Sequence, residues 1–310
     1  MIKRTLYFGN PAYLKTTNEQ LVVEIVQSVH ATVAEADIKR ENKTIPIEDI
    51  GLLILDNRQI TITQALLAKL LANNTAVITC DDTHHPTGML LSLDGHSLQS
   101  QKFKSQIEAS VPLKKQLWQQ TIEIKIKNQA AMLAFRREEN KILLKLAENV
   151  KSGDSENCEA TAATYYWKKL FPEELNFRRE RYGPPPNNLL NYGYAILRAM
   201  MARSLVASGL LPTLGIHHRN QYNAYCLADD IMEPYRPFVD YVVFQLVRNN
   251  GRFLEMSPSM KKSLLEIPAM DVLLEGKKSP MMNAVQRTTA SLAKCFEGTS
   301  RKILYPFLSL

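Results

Sequence analysis

Residues 184–208 read PPPNNLLNYGYAILRAMMARSLVAS, and this stretch decides the fold class. The three prolines form a rigid stop, after which Asn187 or Asn188 is the expected helix N-cap. From Leu189 to Ser208 the apolar residues surround most of a helical circumference, which predicts a central buried helix rather than a surface one. Downstream, Gly209, Pro212 and Gly215 mark a connecting loop. Tyr225–Met232, Tyr235–Arg248, Ser257–Leu265 and Met281–Phe296 then read as further helices. Upstream, Gln99–Ala134 carries Leu117, Trp118, Ile122, Ile126 and Ala130–Leu133 at helical spacing, with Ile124 out of step. Pro112 is predicted to end or kink a helix within that stretch. The helical pattern resumes over Phe135–Val150, pauses at Lys151–Asp154 and returns over Glu156–Leu170. Everything after about residue 97 is therefore expected to be all-α.

The first part of the chain has a different period. Thr5–Phe8 is β-prone and stopped by Gly9, Asn10 and Pro11. Ala12–Leu14 and Gln20–Ile25 flank Thr16, Thr17 and Asn18 as a hairpin. Gly51–Leu55 is an unbroken apolar run, as expected of a buried strand. Thr63–Leu71 has helical spacing, Thr75–Cys80 returns to strand, and Pro86–Leu93 adds one more. The expectation is an α+β multidomain chain: a β-rich domain over residues 1–96 with one short helix, then a larger all-α domain over 97–310. The 310 residues suit about two domains. No apolar run reaches the ~18 residues of a membrane helix, so no membrane partner is expected. The start, MIKRTLYFGNPAYL, shows no secretory h-region. Cys80, Cys158, Cys226 and Cys295 form no CxxC pair, so free thiols and a cytoplasmic location are expected.

Charge separates the two parts. Overall the chain carries +7. The first hundred residues sum to −3 and the remaining 210 to +10. A basic excess confined to one part of a chain is an electrostatic footprint for a polyanion.

Candidate chemistry gathers in residues 215–237, GIHHRNQYNAYCLADDIMEPYRP. Asp230 and Glu233 are one helical turn apart on one face, while Asp229 is rotated away by ~100°. Two carboxylates on one face repel unless a cation lies between them. That cation is either Arg236, three residues beyond Glu233, or a divalent ion. Of six histidines, only His217 and His218 lie just upstream of this acidic helix. An imidazole beside carboxylates suits Mg2+ or Mn2+ better than a structural zinc. Glu159 is a third candidate. A helix places Ala162, Ala163 and Tyr166 on its side, so the carboxylate faces packing and needs a compensating cation or donor. Asp154 and Glu156 read as first-turn acids favoured by the helix dipole.

Taken together, these motifs resemble the CRISPR-associated Cas-one family, the integrase subunit of spacer acquisition. The likeness lies in the Glu-x-x-Ala-Ala pattern at Glu159, in PNNLLNYGYA at 186–195, and in LGIHH at 214–218 followed by LADDIMEPYRP at 227–237. The stretch from Ile45 through Asp81, Asp82, Thr83, His84, His85 and Pro86 adds to it. The wording is most like members that accompany type II systems.

The resemblance implies an N-terminal β-sandwich and a C-terminal helical domain. It implies a divalent-metal-dependent DNA endonuclease and integrase with Glu159, His218 and Glu233 as ligands, many members having Asp where Glu233 stands. His218 rather than His217 matches the Gly-x-x-His turn, and Asp230 matches an acidic position that either joins the ligands or supports them. His84 and His85 read as a structural turn. Implied partners are double-stranded DNA (prespacer and CRISPR repeat), a second copy in a homodimer, and a small dimeric companion subunit completing a heterohexamer. The type II effector nuclease and an accessory DNA-end-binding protein complete that set. Arg178, Arg179, Arg181, Arg219, Lys261 and Lys262 are candidate DNA-backbone contacts. Two rival readings share the sequence: a non-catalytic DNA-binding scaffold, and a plain metal-dependent nuclease using the same site.

Overall fold

The structure is a computed structural model that describes residues 3–25, 41–251 and 253–309. The chain divides into two compact units, Met1–Gly95 and His96–Leu310.

The first unit holds strands β1 (Arg4–Phe8), β2 (Ala12–Thr17), β3 (Gln20–Ile25), β4 (Glu41–Pro46), β5 (Ile50–Leu55), β6 (Ile60–Ile62), β7 (Ala76–Cys80) and β8 (Pro86–Leu90), with helix α1 (Gln64–Ala72) before β7. One sheet has the order β1-β5-β7-β8 and the other β4-β3-β2-β6. In the first sheet β5 lies between β1 and β7 and is parallel to both. A strand flanked on both edges and covered on both faces reads as a continuous apolar run, which is why Ile50–Leu55 carries no alternation. Leu14, Leu21 and Val23 of one sheet meet Ile50, Leu53 and Val77 of the other, with Leu66 and Leu70 of α1, in one core. The β-rich unit is thus two sheets sharing an apolar interior. Thr63 caps α1 by accepting the Leu66 N–H. Two strands escape the sequence pattern: β4 is the polar segment ENKTIP, and β6 is three residues long.

The second unit is mostly helical: α2 (Gln99–Ile107), α3 (Val111–Phe135), α4 (Lys141–Glu148), α5 (Cys158–Leu170), α6 (Asn187–Ala207), α7 (Cys226–Met232), α8 (Arg236–Asn250), α9 (Pro258–Leu265) and α10 (Met281–Phe296). Helix α6 is buried along nearly its whole length, as its composition requires. Pro112 neither kinks nor ends α3. It occupies the first turn behind the Ser110 cap, where its missing N–H costs nothing. The break expected near Pro112 therefore separates α2 from α3. A second break comes at 136–140, where Arg137 takes a φ of 59°, so the pattern over 135–150 is not one helix.

Two expectations are corrected. The unit is not purely α: β9 (Asp271–Leu274) and β10 (Lys277–Pro280) form a hairpin around Glu275 and Gly276, both at positive φ. Nor does Asn188 cap α6, since it lies inside the helix, and neither does Asn187. Its amide donates to Arg178 O and Pro184 O and accepts from Arg179 and the Glu180 N–H, so it fastens the preceding loop.

Three helices are tied by one buried carboxylate. Asp240 of α8 accepts Tyr166 Oη of α5 at 2.9 Å, and its other oxygen accepts Tyr194 Oη of α6. Burial pushes the Asp240 carboxyl up to about 6, against the opposing pull of the two tyrosine hydrogen bonds. Its folded pKa lies above the usual ~3.9. Its contribution to stability is therefore complete below pH ~4 and is lost as pH rises through about 6, amounting to about 3 kcal/mol. Asp240→Asn keeps the shape without the titration. Urea unfolding of the two proteins should show the variant gaining on the wild type by that order between pH ~4 and ~6. A pH-independent difference would contradict the assignment.

Candidate active site

The site is built on one face of α3. Trp118, Ile122, Lys125 and Gln129 recur at helical spacing and are all buried or nearly so. Lys125 is the one charged residue in that stripe. A buried ammonium requires partners, and it has two. Lys125 Nζ lies 2.6 Å from Glu159 Oε1 and 2.6 Å from Glu233 Oε2. The side chains are 10%, 25% and 7% exposed respectively, so water screens the contacts only weakly.

Each glutamate arrives from a different element. Glu159 lies in the first turn of α5, where the Asp154 carboxylate accepts the Cys158 and Glu159 N–H groups at 2.9 and 3.0 Å. Asp154 thus fixes the helix start, and Glu159 projects toward α3 instead of capping its own helix. Glu233 opens the short 3-10 turn Glu233–Tyr235 between α7 and α8. Asn128, on α3 just beyond Lys125, donates to Pro234 O at 2.8 Å and pins this turn to the same helix. Arg236 approaches Glu233 from the other side, Nε to Oε1 at 2.8 Å, and lies over the Tyr194 ring at 4.6 Å. Burial alone would raise the Glu233 pKa. Arg236 and Lys125 outweigh it, and the carboxyl is held below its ordinary value. The same balance holds for Lys125, whose ammonium ends above its usual range despite burial. Glu233 Oε2 meets Lys125 as an ion pair without hydrogen-bond geometry, which leaves a buried carboxylate oxygen with no directional donor.

His218 is placed by Asp230. The Asp230 carboxylate is fully buried and accepts the N–H groups of Ile216, His217 and His218 at 2.7, 2.9 and 3.2 Å. It also holds His218 Nδ1 at 2.5 Å. Gly215 is required at the start of this loop. A Cβ there would lie 2.4 Å from His218 O and 2.7 Å from Asp230 Oδ2. The hydrogen bond to Asp230 raises the His218 pKa against desolvation, and Glu233 and Glu159 add to the rise through space. His217 is used differently: it stacks on Trp118 at 4.1 Å and 3°, and burial lowers its pKa. Trp118 also meets His218 edge-on at 5.7 Å. The same α3 face therefore carries both the histidine pair and the glutamate pair. Asp229, rotated away as its position requires, pairs with Arg198 and Asn223.

The structure thus brings Glu159 and Glu233 together on one cation and places His218 beside them. As folded, the carboxylates close on Lys125 and the imidazole on Asp230. Among the described residues no three acidic, His or Cys side chains form a ready metal cage. The donor set nonetheless fits a hard divalent ion. Two carboxylates already surround a cation, one buried oxygen has no directional donor, and an Asp-held imidazole has its Nδ1 fixed.

Lys125, Trp118 and Asn128 were not singled out by sequence. The available signal was a lysine interrupting an apolar helical stripe. Of the basic candidates, Arg178, Arg181, Arg219 and Lys262 are exposed. Arg179 is held by Asn187 and Asn191, and Lys261 lies over the Tyr192 ring at 5.7 Å. His84 sits in the first unit, its Nδ1 on Asp56 at 2.8 Å, and His85 N–H donates to Asp81. His30 lies outside the described residues.

The profile of the CRISPR associated protein Cas1 family matches residues 6–256. The chain is 37% identical over 258 residues to the CRISPR-associated endonuclease Cas1 of Neisseria meningitidis serogroup C (strain 8013), covering 81% of this chain and 82% of that one. Among solved structures it is similar in fold to a casposase bound to integration product, with TM-score 0.78, 21% identity, and 98% and 92% of the two chains covered. It is also similar in fold to part of a Cas6-RT-Cas1–Cas2 complex, with TM-score 0.75 and 20% identity, over 100% of this chain and 37% of that one.

The Asp230 hub yields a stability prediction. Asp230→Ala strands three loop N–H groups and one imidazole, and a buried donor without a partner costs ~1–3 kcal/mol. The variant should unfold in urea with a loss of about 3 kcal/mol. A loss below ~0.5 kcal/mol would show that the loop does not depend on this carboxylate.

Proposed function

The chain belongs to the CRISPR-associated Cas1 family, and we propose that Glu159, His218 and Glu233 hold the divalent ion with which it cuts and joins DNA. It is a metal-dependent DNA endonuclease and integrase of spacer acquisition. The observation that supports the site most directly is the convergence of Glu159 and Glu233, 74 residues apart in sequence, on one cation at 2.6 Å each. Mg2+ or Mn2+ is the fitting ion for two carboxylates and one imidazole.

When bound, the ion polarises the scissile phosphodiester and stabilises charge on the attacking or leaving oxygen. The chain's own residues supply position. Glu159 and Glu233 are fixed by the α5 cap and the Asn128-pinned turn. Asp230 holds His218 Nδ1, fixing the ring orientation and leaving Nε2 as its ligating atom. Asp230 is a positioning residue in this reading, its oxygens being spent on the loop. The nucleophile belongs to the substrate. A DNA 3′-hydroxyl gives strand joining, water at the same place gives cleavage, and reversal of the first gives disintegration.

The +10 charge after residue 100 suits DNA backbone binding through counterion release, with exposed Arg178, Arg181, Arg219 and Lys262 as contacts. The acidic β-rich unit is left for protein contacts: a homodimer, with the small companion subunit docking elsewhere to complete a heterohexamer. The effector nuclease and a DNA-end-binding protein are further partners of that assembly.

Two measurements test this reading. Glu159→Gln, His218→Ala and Glu233→Gln should each lower Mn2+-dependent strand transfer into a supercoiled plasmid by about a hundredfold or more, with melting temperature little changed for the first two and lowered for Glu233→Gln, which leaves buried Lys125 and Arg236 one carboxylate short. His217→Ala should retain most activity. Full transfer by Glu159→Gln would remove the assignment. Light scattering on the isolated chain should give twice the 35.2 kDa monomer mass. A monomer at micromolar concentration would refute the dimer.

A further inference from the structure

We propose that Lys125 and the divalent ion are alternative occupants of one gap between Glu159 and Glu233, so that the ammonium keeps the site assembled before the ion arrives and leaves the carboxylates when it binds. The inference rests on the reading of these glutamates as metal ligands.

Three observations carry it. First, Lys125 Nζ stands 2.6 Å from an oxygen of each glutamate, so it already occupies the cation position between them. A metal at ~2.0–2.1 Å from those oxygens would use the lone pairs the ammonium now faces. Second, the local charge is balanced without a metal. Two carboxylates face Lys125 and Arg236, the latter 2.8 Å from Glu233 Oε1. Adding a divalent ion while both cations stayed would leave two uncompensated positive charges in a largely buried site, which is strongly unfavourable. Third, the two cations differ in freedom. Arg236 is paired with Glu233 at 2.8 Å, and its planar guanidinium is also held over the Tyr194 ring at 4.6 Å. Lys125 is a point charge on a flexible four-carbon stem and can swing away. It is therefore the cation that yields.

The physical consequence is a competition. Lys125 holds the two glutamates together against their own repulsion, at the expense of intrinsic metal affinity.

The test uses the full-length chain and Mn2+ alone, without DNA, by calorimetric titration and by thermal melting with and without chelator. Lys125→Met should bind Mn2+ about tenfold more tightly than wild type, melt lower in chelator, and show a larger Mn2+-induced rise in melting temperature. Lys125→Arg, which keeps the charge, should bind Mn2+ no more tightly than wild type. Glu159→Gln should lose Mn2+ binding. If Lys125→Met binds Mn2+ equally or more weakly while Glu159→Gln does not bind, the exchange is overturned and the ligand assignment survives. If Glu159→Gln binds like wild type, the ligand assignment falls and this inference with it. Should Lys125→Met fail to fold, the lysine Nζ resonances of the wild type decide. The Lys125 signal, assigned by its absence in Lys125→Arg, should shift on saturation with Mg2+, and an unmoved signal refutes the exchange.

Discussion

Buried negative charge is the constraint from which the helical unit is organised. Glu233, Asp229, Asp230 and Asp240 are all buried, and Glu159 is half-buried beside them. Uncompensated, each ionised carboxylate would cost several kcal/mol. Each is met in a different way. Glu159 and Glu233 share Lys125, and Glu233 also takes Arg236. Asp229 takes Arg198 and Asn223, and Asp230 takes three backbone N–H groups and an imidazole. Asp240 takes two tyrosine hydroxyls and no direct cation, and burial drives its pKa up to about 6. The compensators come from α3, α5, α6, the start of α8 and the loop before α7. Satisfying the charges therefore docks these elements against one another, and the packing and the site have a common cause.

That common cause explains which parts were legible from sequence. Helix α6 announced itself because apolar residues cover most of its circumference, leaving a narrow partly exposed line of Asn188, Asn191, Ala195 and Arg198. Asp230 and Glu233 were expected to share one cation, Arg236 or a divalent ion, but Asp230 turns to the loop N–H groups and His218 instead, so the cations go to Glu233 alone. In the structure Arg236 does take one oxygen of Glu233, but the second goes to Lys125. Lys125 lies more than a hundred residues earlier in a segment, IKIKNQ, whose two lysines look alike. Only the stripe position separates them: Lys125 is buried, whereas Lys127 pairs with Glu123 near the surface. Long-range charge pairing leaves no local period, so it could be found only by asking which cation interrupts an apolar face.

The misread boundaries have equally local reasons. Pro112 was expected to disrupt a helix, but a proline in a first turn is compatible with helix geometry, and the break falls just before it. Arg137 in left-handed conformation ends α3 without the glycine that usually marks such a turn. The β9–β10 hairpin is four residues per strand with a Glu–Gly turn, too short for alternation to stand out against flanking helices. Asn187 has the composition of a cap, yet burial gives it four loop partners instead. Capping preference ranks a residue for a position but does not exclude better-satisfied alternatives.

The division of labour around His218 is the last step. In the proposed site, a histidine placed only by the metal would have to be ordered on binding, and that ordering would oppose it. Here the ring is positioned by Asp230, which is in turn held by three N–H groups of the very loop that carries the histidine, and the loop closes that tightly only because residue 215 has no Cβ. The glutamates are likewise positioned, one by the α5 cap and one by the Asn128-pinned turn, with an ammonium between them. The chemistry of strand transfer needs little more from the protein, because the nucleophile and the leaving oxygen both belong to DNA. In the proposed ligand set, precision lies in holding three donors still before any ion is present, and three different devices do it: Asp230 for His218, the Asp154-capped start of α5 for Glu159, and the Asn128-pinned turn for Glu233.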